Sequence, residues 1–249
     1  MEITSVNNDL VKETVKLQQK KYRTQSGKFL LEGFKVIKEA FDFGIKLENI
    51  FVSKEKIIDY DFAKDIIIET NSAVLKKLAT TESAPEAVAV GYQKNYDKKD
   101  LKKSQKVVLL EDIKDLGNLG TIIRTCVAFG VDAIVLYGES VDIYNPKSVR
   151  ASVGNLWKVP IIHISSFDEL KEIFKDFEKI ATLPRANYLL KDFKAKYPVL
   201  LMFGSEANGL SQDLIDFSSS SVKIEMAETV ESLNLATSVA VTAYKIFME

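Results

Sequence analysis

KVVLLEDIKDLGNLGTIIRTCVAFGVDAIVLYG, residues 106–138, decides the fold. Its ends, KVVLLEDI (106–113) and DAIVLYG (132–138), are apolar runs rich in β-branched residues, the composition of strands buried on both faces of a parallel sheet. Between them Ile122, Ile123, Cys126, Val127 and Phe129 mark a largely apolar helix over 118–130. A strand, a crossover helix and a second strand make one βαβ unit. Towards the C-terminus the pattern repeats. VPIIHI (159–164), KIATL (179–183), PVLLMFG (198–204) and SVKIEM (221–226) read as strands, and 145–157, 166–177, 211–217 and 232–248 as helices. Such alternation predicts an α/β fold whose parallel sheet is covered on both faces.

Towards the N-terminus, NYDKKDLKKSQ (95–105) is polar and separates two apolar-rich regions. It predicts an N-terminal domain over 1–95, a linker over 96–105 and a second domain over 106–249. Within the first, Leu10, Val11, Val15 and Leu17 are spaced for one face of a helix over 7–22, and a helix from Phe34 to Phe43 stops at Gly44. Strands are expected at 29–32, 49–52, 66–68 and 87–93, with helices at 53–59 and 72–79.

The chain has 249 residues, 34 Lys+Arg against 35 Asp+Glu, one His and one Cys. One thiol makes no internal disulfide, which points to a reducing, cytoplasmic setting. A single His and a single Cys leave no cluster for zinc or iron and only a carboxylate-held Mg²⁺ conceivable, and no metal site is expected. No apolar run is long enough for a membrane span, and MEITSVNNDLVKE lacks the basic-then-apolar order of a leader. Charge is uneven. Residues 1–110 carry 20 Lys+Arg against 16 Asp+Glu, and 111–249 carry 14 against 19. Lys12–Lys38 holds eight basic residues against Glu13 and Glu32, a field that attracts phosphate backbones.

Open α/β sheets bind ligands beyond the C-terminal ends of their strands. After 106–113, Gly117 and Gly120 flank Asn118, a good helix N-cap, and Arg124 opposes the macrodipole of a helix expected to begin there. The loop offers G-x-x-G and not G-x-G-x-x-G, which argues against a nicotinamide-dinucleotide enzyme. After 198–204, Gly204 and Gly209 bracket Glu206, a tight loop where backbone can approach a ligand. After 221–226, Ser232 can cap the last helix and Asn234 lies in its first turn.

These residues resemble the SpoU (TrmH-type) family of RNA ribose 2′-O-methyltransferases in the SPOUT superfamily. Its first motif matches Asn118, Gly120, Arg124 and Ala128-Phe129-Gly130; its second matches Gly204, Glu206, Gly209, Leu210 and Ser211; its third matches Ser232-Leu233-Asn234-Leu235. Arg150, Ser152 and Gly154 are similar to the family's R-x-S-x-G segment, and KYRTQSGKFLLEGFKVIKEA to its N-terminal substrate-binding extension. One departure is Glu225, in Ile224-Glu225-Met226, where the family usually has Pro.

The resemblance implies a C-terminal SPOUT α/β-knot, deeply trefoil-knotted, preceded by a smaller L30e-like α/β domain that binds RNA. It implies S-adenosylmethionine as cofactor, held around Thr182, Leu183, Gly204, Ile224, Met226 and Leu233, and a homodimer. Arg124 would be catalytic, binding a phosphate and positioning the ribose, since a guanidinium is a poor general base. Asn118, Glu206, Ser232 and Asn234 would organise the site. Lys20, Lys21, Arg23, Lys28 and Arg150 would contact RNA, with rRNA favoured over tRNA. The rival from another class is a non-catalytic RNA-binding protein of the same fold, against which intact Arg124, Glu206 and Asn234 count.

Overall fold

The computed structural model describes residues 1–230 and 232–249. The chain divides into two compact units, Met1–Lys94 with Asp142–Trp157, and Asn95–Val141 with Lys158–Glu249. The first division falls between Lys94 and Asn95, just before the polar stretch 96–105. Residues 142–157, expected with the C-terminal domain, pack in the first unit.

That unit contains strands β1 (Glu2–Ile3), β2 (Lys28–Glu32), β3 (Leu47–Ser53), β4 (Ile67–Thr70) and β5 (Ala87–Tyr92), in the order β1-β4-β3-β5-β2. β1, β4 and β3 are parallel, while β5 runs antiparallel to β3 and β2. The helix expected over 7–22 is two, α1 (Asp9–Lys16) and α2 (Lys20–Ser26). The break has a side-chain cause. The Leu17 carbonyl accepts a 2.8 Å bond from Arg23 Nη1, which turns the guanidinium inward. There Arg23 is 1% exposed and pairs with Asp142 Oδ2 through Nε at 2.8 Å and Nη2 at 2.7 Å. The expectation that Arg23 contacts RNA is therefore corrected, because the buried group is already satisfied.

Helices α3 (Phe34–Asp42) and α4 (Ser72–Leu78) follow the expected pattern, the former ending before Gly44 at φ +74°. Residues 54–66 form a 3-10 segment with a kink, not the short helix expected at 53–59. The helix expected over 145–157 is only α6 (Pro146–Ala151), because Val153 and Gly154 take left-handed φ of +48° and +76° and turn the chain. A Cβ on Gly154 would press on the Glu39 side chain, so glycine is required there twice over. Arg150, on α6, donates to Glu32 Oε1 at 3.0 Å and to Thr80 Oγ1 at 2.5 Å, and the Glu32 side chain is 2% exposed. Its charge neutralises a buried carboxylate, which explains the residue without RNA.

The second unit is the expected parallel sheet. Strands β6 (Lys106–Glu111), β7 (Ala133–Tyr137), β8 (Ile161–Ile164), β9 (Glu178–Thr182), β10 (Tyr188–Leu189), β11 (Val199–Phe203) and β12 (Ser220–Lys223) are all parallel, in the order β10-β12-β9-β11-β6-β7-β8. Helices α5 (Leu116–Ala128), α7 (Phe167–Ile173), α8 (Gln212–Phe217) and α9 (Leu235–Met248) connect and cover them. The chain builds outward from β6 through β7 and β8 on one side, and β11, β9, β12 and β10 lie on the other, so the order of connection switches between the parallel neighbours β6 and β11. Every residue of β11 and all but the first of β6 are buried. The core beneath α7 and α8 gathers Leu109, Val135, Leu170, Phe174, Met202 and Leu214. Among the described residues, no helix is long and apolar enough to cross a membrane.

Two outcomes follow from this packing. Burial pushes the Cys126 thiol far above its ordinary range, so it stays protonated and unreactive through neutral and mildly alkaline pH. A disulfide reagent is expected to titrate no thiol in the native protein and one per chain after unfolding in urea. Arg23→Ala leaves Asp142 without its partner and is expected to lower unfolding free energy by about 3–5 kcal/mol, read from urea denaturation.

Candidate active site

The site begins with a helix end that needs acceptors. The first N–H groups of α9 have no partner within the helix. Asn234 supplies one: its Oδ1 accepts from Ala236 N at 2.9 Å and Thr237 N at 3.3 Å. Asn234, not Ser232, is therefore the N-cap. Its oxygen being committed, its Nδ2 points away and donates to Asn118 Oδ1 at 3.0 Å. Asn118 Nδ2 then donates to Glu206 Oε1 at 2.6 Å. An ionised carboxylate only accepts, so the chain α9–Asn234–Asn118–Glu206 has one hydrogen-bonding direction.

Asn118 is free for this because it does not cap α5. Asp115 does, its Oδ1 accepting from Asn118 N at 2.6 Å, which places Asn118 in the first turn. The earlier helix start also moves Arg124. It lies in the third turn of α5, about 9 Å along the axis from Asn118, so the macrodipole argument for it lapses. Arg124 is exposed and makes no hydrogen bond or ion pair among the described residues, which leaves the guanidinium available to an anion.

The loop carrying Glu206 is closed by its own backbone. Gly209 N donates to Ser205 O at 2.9 Å, and Gly209 has φ +67°. A Cβ on Gly204 would collide with the Gly209 carbonyl and Leu210 N. Glycine at 204 thus serves the turn, and Gly204 does not line the cleft described next. The loop is tied to β6 by Ser211 N, which donates to the buried Glu111 Oε2 at 2.7 Å.

Beside this chain of amides, one cleft is lined by Thr182, Leu183, Ile224, Met226 and Leu233, five of the six residues expected to hold the cofactor, together with Ser232. Pro184, Val222, Ser238 and Thr242 complete it. A second cleft continues from it, sharing Pro184, Ile224 and Met226. Thr182 Oγ1 donates to Met202 O at 2.8 Å, fixing the end of β9 against β11. The lining suits an adenosine: apolar walls for a base, hydroxyls for polar edges. Thr242 is the sharpest fit, because its Oγ1 is buried without a partner among the described residues. Sequence reasoning missed Ser238 and Thr242. Their signal was a polar stripe at helical spacing, Asn234, Ser238 and Thr242, in an otherwise apolar helix.

Of the residues expected to meet RNA, Lys20 and Lys21 are exposed at the start of α2. Lys28 is half-buried and paired with Glu48 Oε1 at 2.7 Å. Arg23 and Arg150 are bound within the first unit, as described above.

Residues 105–244 match the SpoU rRNA Methylase family, and residues 8–89 the MRM3-like substrate binding domain. Over 98% of its length the chain is 33% identical to an uncharacterised tRNA/rRNA methyltransferase of Synechocystis sp., covering 92% of that protein. It is 29% identical to the 23S rRNA (guanosine(2553)-2′-O)-methyltransferase of Bacillus subtilis, with 98% of each chain covered. An AdoMet-bound rRNA methyltransferase from Sinorhizobium meliloti superposes with a TM-score of 0.90 at 27% identity, covering 98% of this chain and 96% of that one.

Thr242→Val removes the unpartnered hydroxyl with little change of shape. It is expected to weaken S-adenosylmethionine binding about two- to tenfold, the range of one neutral hydrogen bond, when measured by calorimetry. The melting temperature should not fall.

Proposed function

The chain belongs to the SpoU rRNA methylase family and is an S-adenosylmethionine-dependent RNA ribose 2′-O-methyltransferase, and we propose that its substrate is 23S rRNA. The observation that carries the site assignment is the Glu206–Asn118–Asn234 chain standing beside the cleft of Thr182, Leu183, Ile224, Met226 and Leu233.

When bound, the cofactor supplies a methyl group already activated on a sulfonium. Thr182, Leu183, Ile224, Met226, Leu233 and Thr242 hold it. The remaining work is to present a ribose 2′-OH in line and to accept its proton. Arg124 grips the phosphate beside the target ribose through paired N–H donors and so sets the angle of the 2′-OH. The proton passes to that phosphate or to the Glu206 carboxylate. The amide chain keeps Glu206 from swinging, because each link uses the only partner its geometry allows.

The substrate domain reads RNA by charge, with Lys20 and Lys21 at its surface, so affinity falls steeply with salt. The catalytic unit works as a homodimer and is knotted in its C-terminal part. The apolar outer face of α9, where Val241, Tyr244 and Met248 stay exposed, supports the first; the match to the SpoU rRNA Methylase family supports the second. A cytoplasmic site of action fits the single reduced thiol.

Arg124→Ala is expected to abolish transfer of a labelled methyl group to 23S rRNA while cofactor affinity is kept. Arg124→Lys should fail as well, since a point charge cannot make the two-pronged contact. Transfer at the unmodified rate in Arg124→Ala would remove Arg124 from the mechanism, and the same rate in Arg124→Lys would remove the two-pronged contact alone.

A further inference from the structure

The first unit holds a second concave site. A cavity of about 290 Å³ opens between α1, α2 and the edge of the five-stranded sheet. Its floor is apolar, from Leu10, Leu17 and Val90, and the Tyr22 ring forms one wall. The ammonium groups of Lys16 and Lys21 each lie 5.8 Å from the centre of that ring. Lys28, also in the lining, lies 5.3 Å from the centre of Tyr92, and Lys46 lies 5.0 Å from it. Lysines thus stand close to two aromatic rings, Tyr22 in the lining and Tyr92 next to the lining residue Lys28.

Two carboxylates temper the charge inside the cavity. Glu13 pairs with Lys16 at 2.6 Å and Glu48 with Lys28 at 2.7 Å. The interior is therefore close to neutral, while Lys20 and Lys21, exposed at the start of α2 and without an ion pair among the described residues, precede Tyr22 in the chain, and the Lys21 ammonium lies near its ring. A bare phosphate would find acids inside the cavity. A duplex offers no exposed base face, because its bases are stacked on one another. An unstacked nucleotide fits this lining: a planar base against Tyr22 in place of a lysine ammonium, base N–H groups towards Glu13 and Glu48, and a phosphate at the displaced ammonium. The volume, at the low end for ligand sites, suits one nucleotide.

We propose that this cavity binds a single unpaired nucleobase of the RNA substrate, with Tyr22 as its stacking platform. The proposal rests on the reading of the chain as an RNA methyltransferase, and it assigns the substrate domain a preference for single-stranded or looped RNA.

The test uses the full chain and fluorescence anisotropy with labelled single-stranded oligoribonucleotides, one of uridines and one of adenosines, and a fully paired RNA duplex of equal length. Tyr22→Ala should weaken single-strand binding about tenfold, as expected for loss of one stacked base, and leave duplex binding unchanged. Tyr22→Phe should keep single-strand affinity. Unchanged circular dichroism and an unchanged urea unfolding midpoint in both variants show that the unit carrying Tyr22 folds. Unaltered single-strand affinity in Tyr22→Ala, or an equal loss on the duplex, overturns the proposal. Methyl transfer to 23S rRNA by the unmodified protein is measured in parallel. If transfer is absent while the Tyr22 effect persists, the 23S rRNA reading fails and the base site stands. If transfer is present without the Tyr22 effect, the base site fails alone.

Discussion

Helix α9 must find acceptors for its first N–H groups, and the candidate site is organised by how it does so. Asn234 gives its side-chain oxygen to Ala236 and Thr237, and that commitment orients its amide nitrogen, then Asn118, then Glu206. Three side chains from three separate segments, the first turn of α5, the 204–209 loop and the start of α9, are thus aligned by one helix end. No single link is strong, since a hydrogen bond in a partly exposed site nets about 1 kcal/mol. Their value lies in direction. Reversing any amide would set donor against donor or oxygen against oxygen, so the chain tolerates only one arrangement. A site arranged this way needs little reorganisation when its substrate arrives.

The first unit depends on two ion pairs of a different kind. Arg23–Asp142 and Arg150–Glu32 each bury at least one charged partner almost completely. Such pairs contribute little net stability against an apolar alternative, but each is costly to break from one side. They act on placement. Both reach residues 142–157, which lie between β7 and β8 in sequence, and hold them in the unit that also carries the cavity at Tyr22.

Much of this was legible from residue order alone. The strands of the parallel sheet announced themselves as apolar runs, and the three motif loops fell at strand ends. The errors were local competitions that sequence cannot decide. Asp115 and Asn118 are both good N-caps three residues apart, as are Ser232 and Asn234 two apart; which one bonds depends on where the helix can start against the sheet. Strands β1 and β10, of two residues each, are too short to show any period. Arg23 sat in a basic run and read as surface, because the partner that buries it lies 119 residues further on. Gly204 was read correctly as a point of close approach, but what approaches is the chain's own backbone.

The division of the chain bears on how such proteins can be rearranged. A polar stretch like 95–105 usually marks a seam at which a domain can be removed, swapped or fused. Here the polypeptide passes between the two units at 94/95, at 141/142 and at 157/158. Cutting at the linker would put Arg23 and Glu32 on one fragment and Asp142 and Arg150 on the other. Each piece would then carry orphaned charges made to be buried. The substrate domain is therefore no detachable cassette: its boundary in three dimensions includes a loop that the catalytic half encodes. Any exchange of RNA specificity between relatives would have to carry 142–157 along with the N-terminal residues.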